Sequence, residues 1–187
     1  DNAFKEKFFH VPLTEQPEYN GTQLIHSKVI ASYLRQLLRN DLQYAPFRME
    51  GMEQDVREMM EIDTPQGKLA LQIGGTIDRL DSKGDTLRIV DYKTGGTPKT
   101  PENIEQLFTP ADNRPNYIFQ TFLYAAILCR KQSLKVAPSL LYIHRAASES
   151  YSPVIEMGAP RQPKVPVNNF AFFEDEFRKR LHGLLQE

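Results

Sequence analysis

Alternating apolar and polar residues mark a β-hairpin in the middle of the chain. Two strand-like runs, residues 72–80 and 86–92, are rich in β-branched and apolar side chains. They flank a polar turn, residues 81–85, that contains Gly84. Alternating runs joined by a short turn with a glycine are the sequence signature of a hairpin. The pattern therefore predicts two adjacent antiparallel strands.

Apolar residues at helical spacing predict three helices around this hairpin. The first runs from a cap at Thr22 to about Asn40, and its apolar residues predict one buried face. The second covers residues 116–131 and the third 167–187. The first hairpin strand extends back to residue 69, and further strands are predicted at 52–62 and 136–144. The order helix, three strands, helix, strand predicts an α/β protein with a mixed central β-sheet flanked by helices.

Length and composition are those of an ordinary globular chain. Its 187 residues fit a single domain, with a core at about 20–145 and a C-terminal extension with a helix at 146–187. No apolar run approaches the length that a membrane span needs. Cys129 is the only cysteine, which favours a reducing compartment and predicts a cytoplasmic protein. The start at Asp1, without a methionine, suggests a processed chain or a piece of a longer one.

Three charged side chains carry the chemistry of the hairpin. Asp91 and Lys93 are two residues apart and therefore share one face of their strand. A hairpin folded about residues 83–84 places Asp78 opposite residues 89–91, unless a bulge shifts it by one. One interpretation is a structural salt bridge between Lys93 and either aspartate. The other is a site for a hard cation, because two carboxylates, a carbonyl and waters suit Mg²⁺.

The motifs around these residues resemble those of the PD-(D/E)XK nuclease superfamily, and within it the RecB/AddB-type exonuclease domains. The resemblance lies in three stretches: Gly75-Thr-Ile-Asp78-Arg79-Leu-Asp81, Ile89-Val-Asp91-Tyr-Lys93-Thr-Gly95 and Gln120-Thr-Phe-Leu-Tyr124. Their order and spacing match a G-x-x-D-R-x-D, D-Y-K-T-G, Q-x-x-x-Y pattern over about residues 53–145. The resemblance implies a restriction-endonuclease-like core.

The resemblance also implies an activity. Asp78, Asp91 and the Tyr92 backbone carbonyl would hold Mg²⁺ or Mn²⁺, and Lys93 would position the attacking water and stabilise the developing charge. Gln120 and Tyr124 would support the site or contact DNA. The expected activity is metal-dependent exonucleolytic hydrolysis of DNA, in a larger helicase–nuclease that processes double-strand breaks. The alternative is a non-catalytic DNA-binding or assembly module that keeps the nuclease fold.

Two further residues are weaker candidates for the site. Relatives carry a Gly-x-x-x-His motif upstream of the strands, and the nearest match here is Gly21 to His26, with one residue too many. His26 is equally consistent with an ordinary helix histidine, and the favoured interpretation is that the histidine of the motif lies before Asp1. Glu53 lies where relatives often have a glutamate, or is a solvent-facing strand residue.

Phosphate contacts and a substrate-guiding loop complete the expectations. The net charge is −1, so contact with phosphates would depend on a local strip of cations. For most of the candidate cations a solvated surface charge is the favoured interpretation: Arg79, Lys83, Lys93, Lys99, Arg114, Arg130, Lys131 and Arg145. The long loop 94–114 either guides a substrate strand or is a plain surface loop.

Overall fold

The computed structural model describes residues 2–148 and 150–186, apart from the side chains of Phe4 and Phe8. Its α-helices are α1 (Asn2–Phe4), α2 (Gly21–Tyr44), α3 (Asn116–Cys129) and α4 (Ala171–Gln186). Its strands are β1 (Arg48–Thr64), β2 (Gly67–Lys83), β3 (Thr86–Lys93), β4 (Lys135–Tyr142), β5 (Glu156–Met157) and β6 (Val165–Pro166). A π-helical turn covers Lys5–Phe9, and 3₁₀ turns cover Glu105–Leu107 and Ile143–Arg145.

A mixed four-stranded sheet forms the centre of the fold. Its order is β1-β2-β3-β4, in which the first three strands are antiparallel and β4 runs parallel to β3. Helix α3 makes the connection from β3 to β4, as a parallel pair of strands requires. The predicted fold class is therefore confirmed, because the sheet and its flanking helices form a restriction-endonuclease-like core. Strand β5 pairs only with β6 in a separate two-stranded sheet.

Strands β2 and β3 stay paired for only part of their length. Pairing starts at Lys83↔Thr86 and the last recorded pair is Arg79↔Val90. Before Arg79, strand β2 pairs with β1 alone, in a long hairpin whose register extends to Thr64↔Gly67. Asp78 thus lies at the point where the two central strands stop pairing. This is the predicted hairpin, with Asp78 next to the end of β3.

The two faces of the sheet are covered very differently. Helices α3 and α4 pack on one face over a large core that includes Ile89, Phe122 and Phe177, all fully buried. The opposite face carries a small cluster around Val90 and Leu141, against which Tyr33 and Leu37 of α2 pack. Most of the apolar area that stabilises the fold is therefore buried on the α3 side.

Helix α2 corrects the prediction of a buried apolar face. Seven of its large apolar side chains are exposed, and Leu42 is 76% accessible. The exposed residues are Leu24, Ile25, Val29, Ile30, Leu34, Leu38 and Leu42. Only Asn40 of this helix is fully buried. Periodicity correctly predicted an amphipathic helix, but the described residues do not cover its apolar stripe.

The ends of α2 also differ from the prediction. Its N-cap is Asn20, not Thr22, and a capping box closes the first turn. The Asn20 side chain accepts the backbone N–H of Gln23 at 2.9 Å, and the Gln23 side chain accepts that of Asn20 at 3.0 Å. This arrangement satisfies two N–H groups that the first helical turn leaves free. The helix continues to Tyr44, four residues beyond the predicted end.

Candidate active site

Asp78 is joined to strand β3 through its side chain. Its Oδ2 atom accepts the backbone N–H of Tyr92 at 2.8 Å. Tyr92 lies beyond the last backbone pair of β2 and β3. Its N–H is therefore accepted by the Asp78 side chain and not by the backbone of β2. The bond holds the Asp78 carboxylate against the Asp91-Tyr92-Lys93 segment of β3.

Asp91 is a buried carboxylate in an ion pair with Lys93. Asp91 is 4% exposed, and its Oδ2 contacts the Lys93 ammonium. Burial raises the pKa of Asp91, the ion pair with Lys93 opposes that shift, and the negative charge of Asp78 adds to it. In the parallel register, Asp91 lies beside Leu140 and Lys93 beside Tyr142, both members of the core on the α3 side. Asp91 and Lys93 thus lie on the same face of β3, as predicted.

An aromatic ring on α3 lies against the lysine. The Lys93 ammonium is 4.3 Å from the centroid of the Tyr117 ring, within cation–π range. The Lys93 side chain remains 16% exposed, so the ammonium lies at the edge of the core. Sequence reasoning missed Tyr117, although a signal was present. Tyr117, Gln120 and Tyr124 stand at i, i+3 and i+7, which places all three on one side of a helix.

Gln120 and Tyr124 form a hydrogen-bonded pair that packs on strand β2. The Gln120 side-chain amide donates to the Tyr124 hydroxyl at 2.9 Å. A Cβ built on Gly75 would lie 2.6 Å from that hydroxyl oxygen, so the tyrosine contacts bare backbone. Gly75 precedes Asp78 by three residues on β2. The Q-x-x-x-Y pair therefore packs on the strand that carries Asp78.

Arg79 and Asp81 belong to a buried charge network. Arg88 binds Asp81 through two hydrogen bonds of 2.9 and 2.8 Å, and the Arg79 guanidinium lies 2.9 Å from the same carboxylate. Arg79 also donates to Asp41 of α2 at 2.8 Å and to the Tyr92 hydroxyl at 3.1 Å. Burial lowers the pKa of Arg79, but its bonds to Asp41 and Tyr92 more than compensate and the pKa is raised. The D-R-x-D motif thus ties α2 to the sheet beneath the candidate site.

The predicted cation strip is accordingly shorter than the sequence suggested. Arg79 is buried in this network and faces α2. Arg130 pairs with Glu58 and Glu174, and Lys131 donates to the Arg57 carbonyl. Lys83 donates to the Tyr44 carbonyl. Of the other candidates, Lys93 contacts Asp91, Arg145 is exposed in the 3₁₀ turn that follows β4, and Lys99 and Arg114 lie in the loop that follows β3.

Neither weaker candidate adds a third ligand to the aspartates. His26 is exposed on α2. Glu53 is exposed on β1 with a φ of 48°, between the recorded pairs Met52↔Arg79 and Gln54↔Ile77, which places its backbone opposite Asp78. Within residues 2–148 and 150–186, no three His, Cys, Asp or Glu side chains gather in an arrangement that suits a metal ion.

The geometry defines a class of protein: an α/β fold with two aspartates and a lysine where two central strands separate. A comparison with protein families matches the PD-(D/E)XK nuclease superfamily over residues 1–187. The chain therefore belongs to this superfamily of nucleases, which generally use divalent metal ions and act on DNA. A comparison with curated proteins finds no match. In the described part of the chain, no helix is both long enough and apolar enough to cross a membrane.

The residues present fit a divalent metal ion. Asp91 Oδ2 is buried and accepts no hydrogen bond of ordinary geometry, although it contacts the lysine. A buried carboxylate beside a second one is costly unless a cation compensates both charges. Two aspartates leave coordination positions for water, as Mg²⁺ prefers. Carboxylate oxygen is also a suitable ligand for Mn²⁺.

Proposed function

We propose that this chain is a metal-dependent exonuclease domain that hydrolyses phosphodiester bonds in DNA. The observation that carries the proposal is the Asp78–Tyr92 hydrogen bond, which holds one carboxylate beside the buried Asp91–Lys93 pair. Membership of a nuclease superfamily supports the reaction class. Asp78, Asp91 and Lys93 are the proposed catalytic residues.

Each residue has a distinct proposed role. Asp78, Asp91 and the Tyr92 carbonyl hold Mg²⁺ or Mn²⁺, which supplies Lewis-acid activation of the phosphate and of water. The Lys93 ammonium orients the attacking water and stabilises negative charge as it develops on the phosphate. Its contact with Asp91 shows that Nζ reaches the carboxylate, so the two groups act on the same small volume. Gln120 and Tyr124 hold strand β2 in place.

The finer assignment is a RecB/AddB-type exonuclease within a larger helicase–nuclease that repairs double-strand breaks. The support is the sequence pattern, since the three motifs occur in the order and at the spacing of that type. DNA is the proposed substrate, a motor domain or subunit the proposed partner, and the cytoplasm the proposed location. The Tyr124 contact with Gly75 supports a shared role for the motifs, because it connects the third motif with the first.

One observation favours a second function, a non-catalytic module that binds DNA or assembles a complex. Lys93 already neutralises Asp91, and the described residues provide no third side-chain ligand from His, Cys, Asp or Glu beside the two aspartates. A metal ion would therefore have to displace or share the lysine contact. This alternative predicts DNA binding with little response to divalent ions.

DNA cleavage by the chain in Mg²⁺ or Mn²⁺, on single- and double-stranded substrates, tests the proposal. Lys93→Ala should abolish cleavage, and Lys68→Ala, at an exposed lysine on β2, should leave it unchanged. Cleavage that survives in Lys93→Ala contradicts the assigned role of the lysine. Metal binding without cleavage would indicate an incomplete site, and neither metal binding nor cleavage would favour the non-catalytic module.

A further inference from the structure

A cavity of about 330 Å³ is lined by Tyr117, whose ring contacts Lys93, and by Tyr142, which pairs with Lys93 in the sheet. It lies between the loop that follows β3 and the first turn of α3, and its walls include Gly96, Lys99, Arg114, Tyr117 and Tyr142. The volume is at the lower end of the range for pockets that bind small organic groups. The cavity is therefore large enough for one planar group beside the candidate catalytic residues.

Two tyrosines give this cavity aromatic walls. Tyr117 is 46% exposed, so its ring is not part of the core, whereas Tyr142 is buried. A Cβ built on Gly96 would lie 3.7 Å from the Tyr117 ring and 3.8 Å from the Tyr142 ring. Gly96 also has a φ of 81°, a conformation that disfavours other residues. The glycine thus keeps the space between the two rings open.

The position of Tyr117 relates the cavity to the reaction. The Lys93 ammonium lies 4.3 Å from the centroid of the Tyr117 ring, so the two groups are in contact. The backbone carbonyl of Tyr117 also accepts the Thr121 hydroxyl at 2.7 Å. A group stacked on Tyr117 would therefore lie one ring away from the proposed catalytic lysine.

The charges that line the cavity are mixed, but their positive excess favours a polyanion. Lys99 and Arg114 contribute cations, and Asp112 is the carboxylate among the lining residues. Lys99 donates to the carbonyls of Asn113 and Arg114 at 2.6 and 3.3 Å, which fixes both ends of the loop wall. Aromatic rings combined with nearby cations are how proteins hold single-stranded nucleic acid.

We propose that the cavity between Tyr117 and Tyr142 receives an unpaired nucleobase next to the scissile phosphate, so that the site acts on single-stranded or frayed DNA. This inference rests on the proposed nuclease function. The base stacks on the exposed Tyr117 ring while its phosphate lies towards Lys93. A base that remains paired in a duplex cannot enter the cavity, because it stays stacked between its neighbours.

Binding of a single-stranded oligodeoxynucleotide that carries 2-aminopurine tests the inference separately from cleavage. Ca²⁺ replaces Mg²⁺ in this experiment, and affinity and 2-aminopurine quenching are measured. Tyr117→Ala should weaken binding roughly five- to 140-fold, the effect of losing one base–aromatic stack, and should abolish the quenching. Tyr117→Phe should retain both, because the ring remains. Phe172→Ala, at an exposed aromatic on α4, should change neither.

Cleavage assays add the readout that separates stacking from mere support of Lys93. Tyr117→Ala should raise KM for single strands more than for blunt duplexes, whereas loss of support would lower kcat equally on both. An equal loss on both substrates, or unchanged binding in Tyr117→Ala, overturns the inference. Quenching by a chain that never cleaves DNA would refute the nuclease proposal and leave the base pocket standing. Cleavage of duplex DNA without binding of single strands would refute the base pocket and leave the nuclease proposal standing.

Discussion

The Asp78 carboxylate accepts the backbone N–H of Tyr92 at 2.8 Å, where strands β2 and β3 no longer pair through their backbones. This bond has two consequences. It satisfies a backbone donor that strand separation would otherwise leave without a partner. It also fixes a charged group beside Asp91 and Lys93 while leaving its other oxygen for a ligand. The same carboxylate therefore supports the fold and the proposed chemistry.

Two substitutions of Asp78 should separate these roles. Asp78→Asn keeps an oxygen that can accept the Tyr92 N–H but loses the charge, whereas Asp78→Ala loses both. Both variants should lose binding of Mn²⁺, measured by isothermal titration calorimetry. Only Asp78→Ala should also lose stability, by about 1 to 2 kcal/mol relative to Asp78→Asn in urea unfolding. Equal stability of the two variants would show that the bond to Tyr92 contributes nothing.

The Asp81 carboxylate should be far more important for stability than an exposed one. Asp81 is fully buried between Arg79 and Arg88, so Asp81→Ala leaves two buried guanidinium groups without this partner. The free energy of unfolding should fall by about 3 to 5 kcal/mol. Asp55→Ala is the matched control, because Asp55 is exposed, pairs with Arg57 and accepts the Thr76 hydroxyl, and it should cost much less stability than Asp81→Ala. Similar losses in the two variants would contradict the burial argument.

The sequence predicted the parts of the site that depend on local spacing. The hairpin, the shared face of Asp91 and Lys93, and the order of the elements follow from periods of two and 3.6 residues. The Asp78–Tyr92 bond was beyond such reasoning, because it depends on where two strands stop pairing. Spacing could place Asp78 near residues 89–91, but it could not show that its carboxylate accepts a backbone N–H of the neighbouring strand.

Burial was the other property that local patterns could not supply. Arg79 was a candidate phosphate contact, but its partner Asp41 lies 38 residues earlier, and only the fold brings the two together. Helix α2 has the periodicity of a buried element, yet its apolar side chains are largely exposed. Periodicity indicates that a helix is amphipathic, but it does not show which other residues, if any, cover the apolar side.

Gly75 should tolerate no side chain, because Tyr124 lies directly on it. Gly75→Ala would place a methyl group 2.6 Å from the Tyr124 hydroxyl oxygen, and we expect a loss of about 1 to 3 kcal/mol from overpacking. Gly183→Ala is the matched control. Apart from its chain neighbours and the backbone of its own helix, no atom of the described residues lies within 4 Å of the added Cβ, so the substitution should stabilise α4 by roughly 0.5 to 1 kcal/mol.

A double variant should identify the contact responsible. Tyr124→Phe removes the hydroxyl, so Gly75→Ala should cost less in that background than in the wild type, although ring carbons at 3.0 and 3.1 Å keep the fit tight. Thermal and urea unfolding of the four proteins give the coupling free energy. Strict additivity would mean that Gly75 is required for a reason other than the approach of Tyr124.

Cys129 should be a slow target for alkylation in the folded protein. Burial raises the pKa of its thiol to about 11, Glu174 adds to the shift, and Arg178 opposes it. At pH 8 about one thiol in a thousand is then ionised, against roughly a quarter in the unfolded chain, where the pKa is about 8.5. Iodoacetamide labelling at pH 8 should therefore be at least about 100-fold faster in urea than in buffer.

The raised pKa of the Cys129 thiol makes both the stability of the fold and the labelling rate depend on pH. A thiol with a raised pKa in the folded state favours folding below pH 8.5, and that contribution is lost as the pH rises towards 11. The native labelling rate should accordingly increase tenfold per pH unit between pH 8 and about pH 10 if the thiolate reacts within the folded protein. Cys129→Ser should show no labelling, since the chain has one cysteine. Labelling of the native protein at pH 8 as fast as that of the unfolded chain would contradict the partial burial of the thiol beside Glu174 and Arg178 of α4.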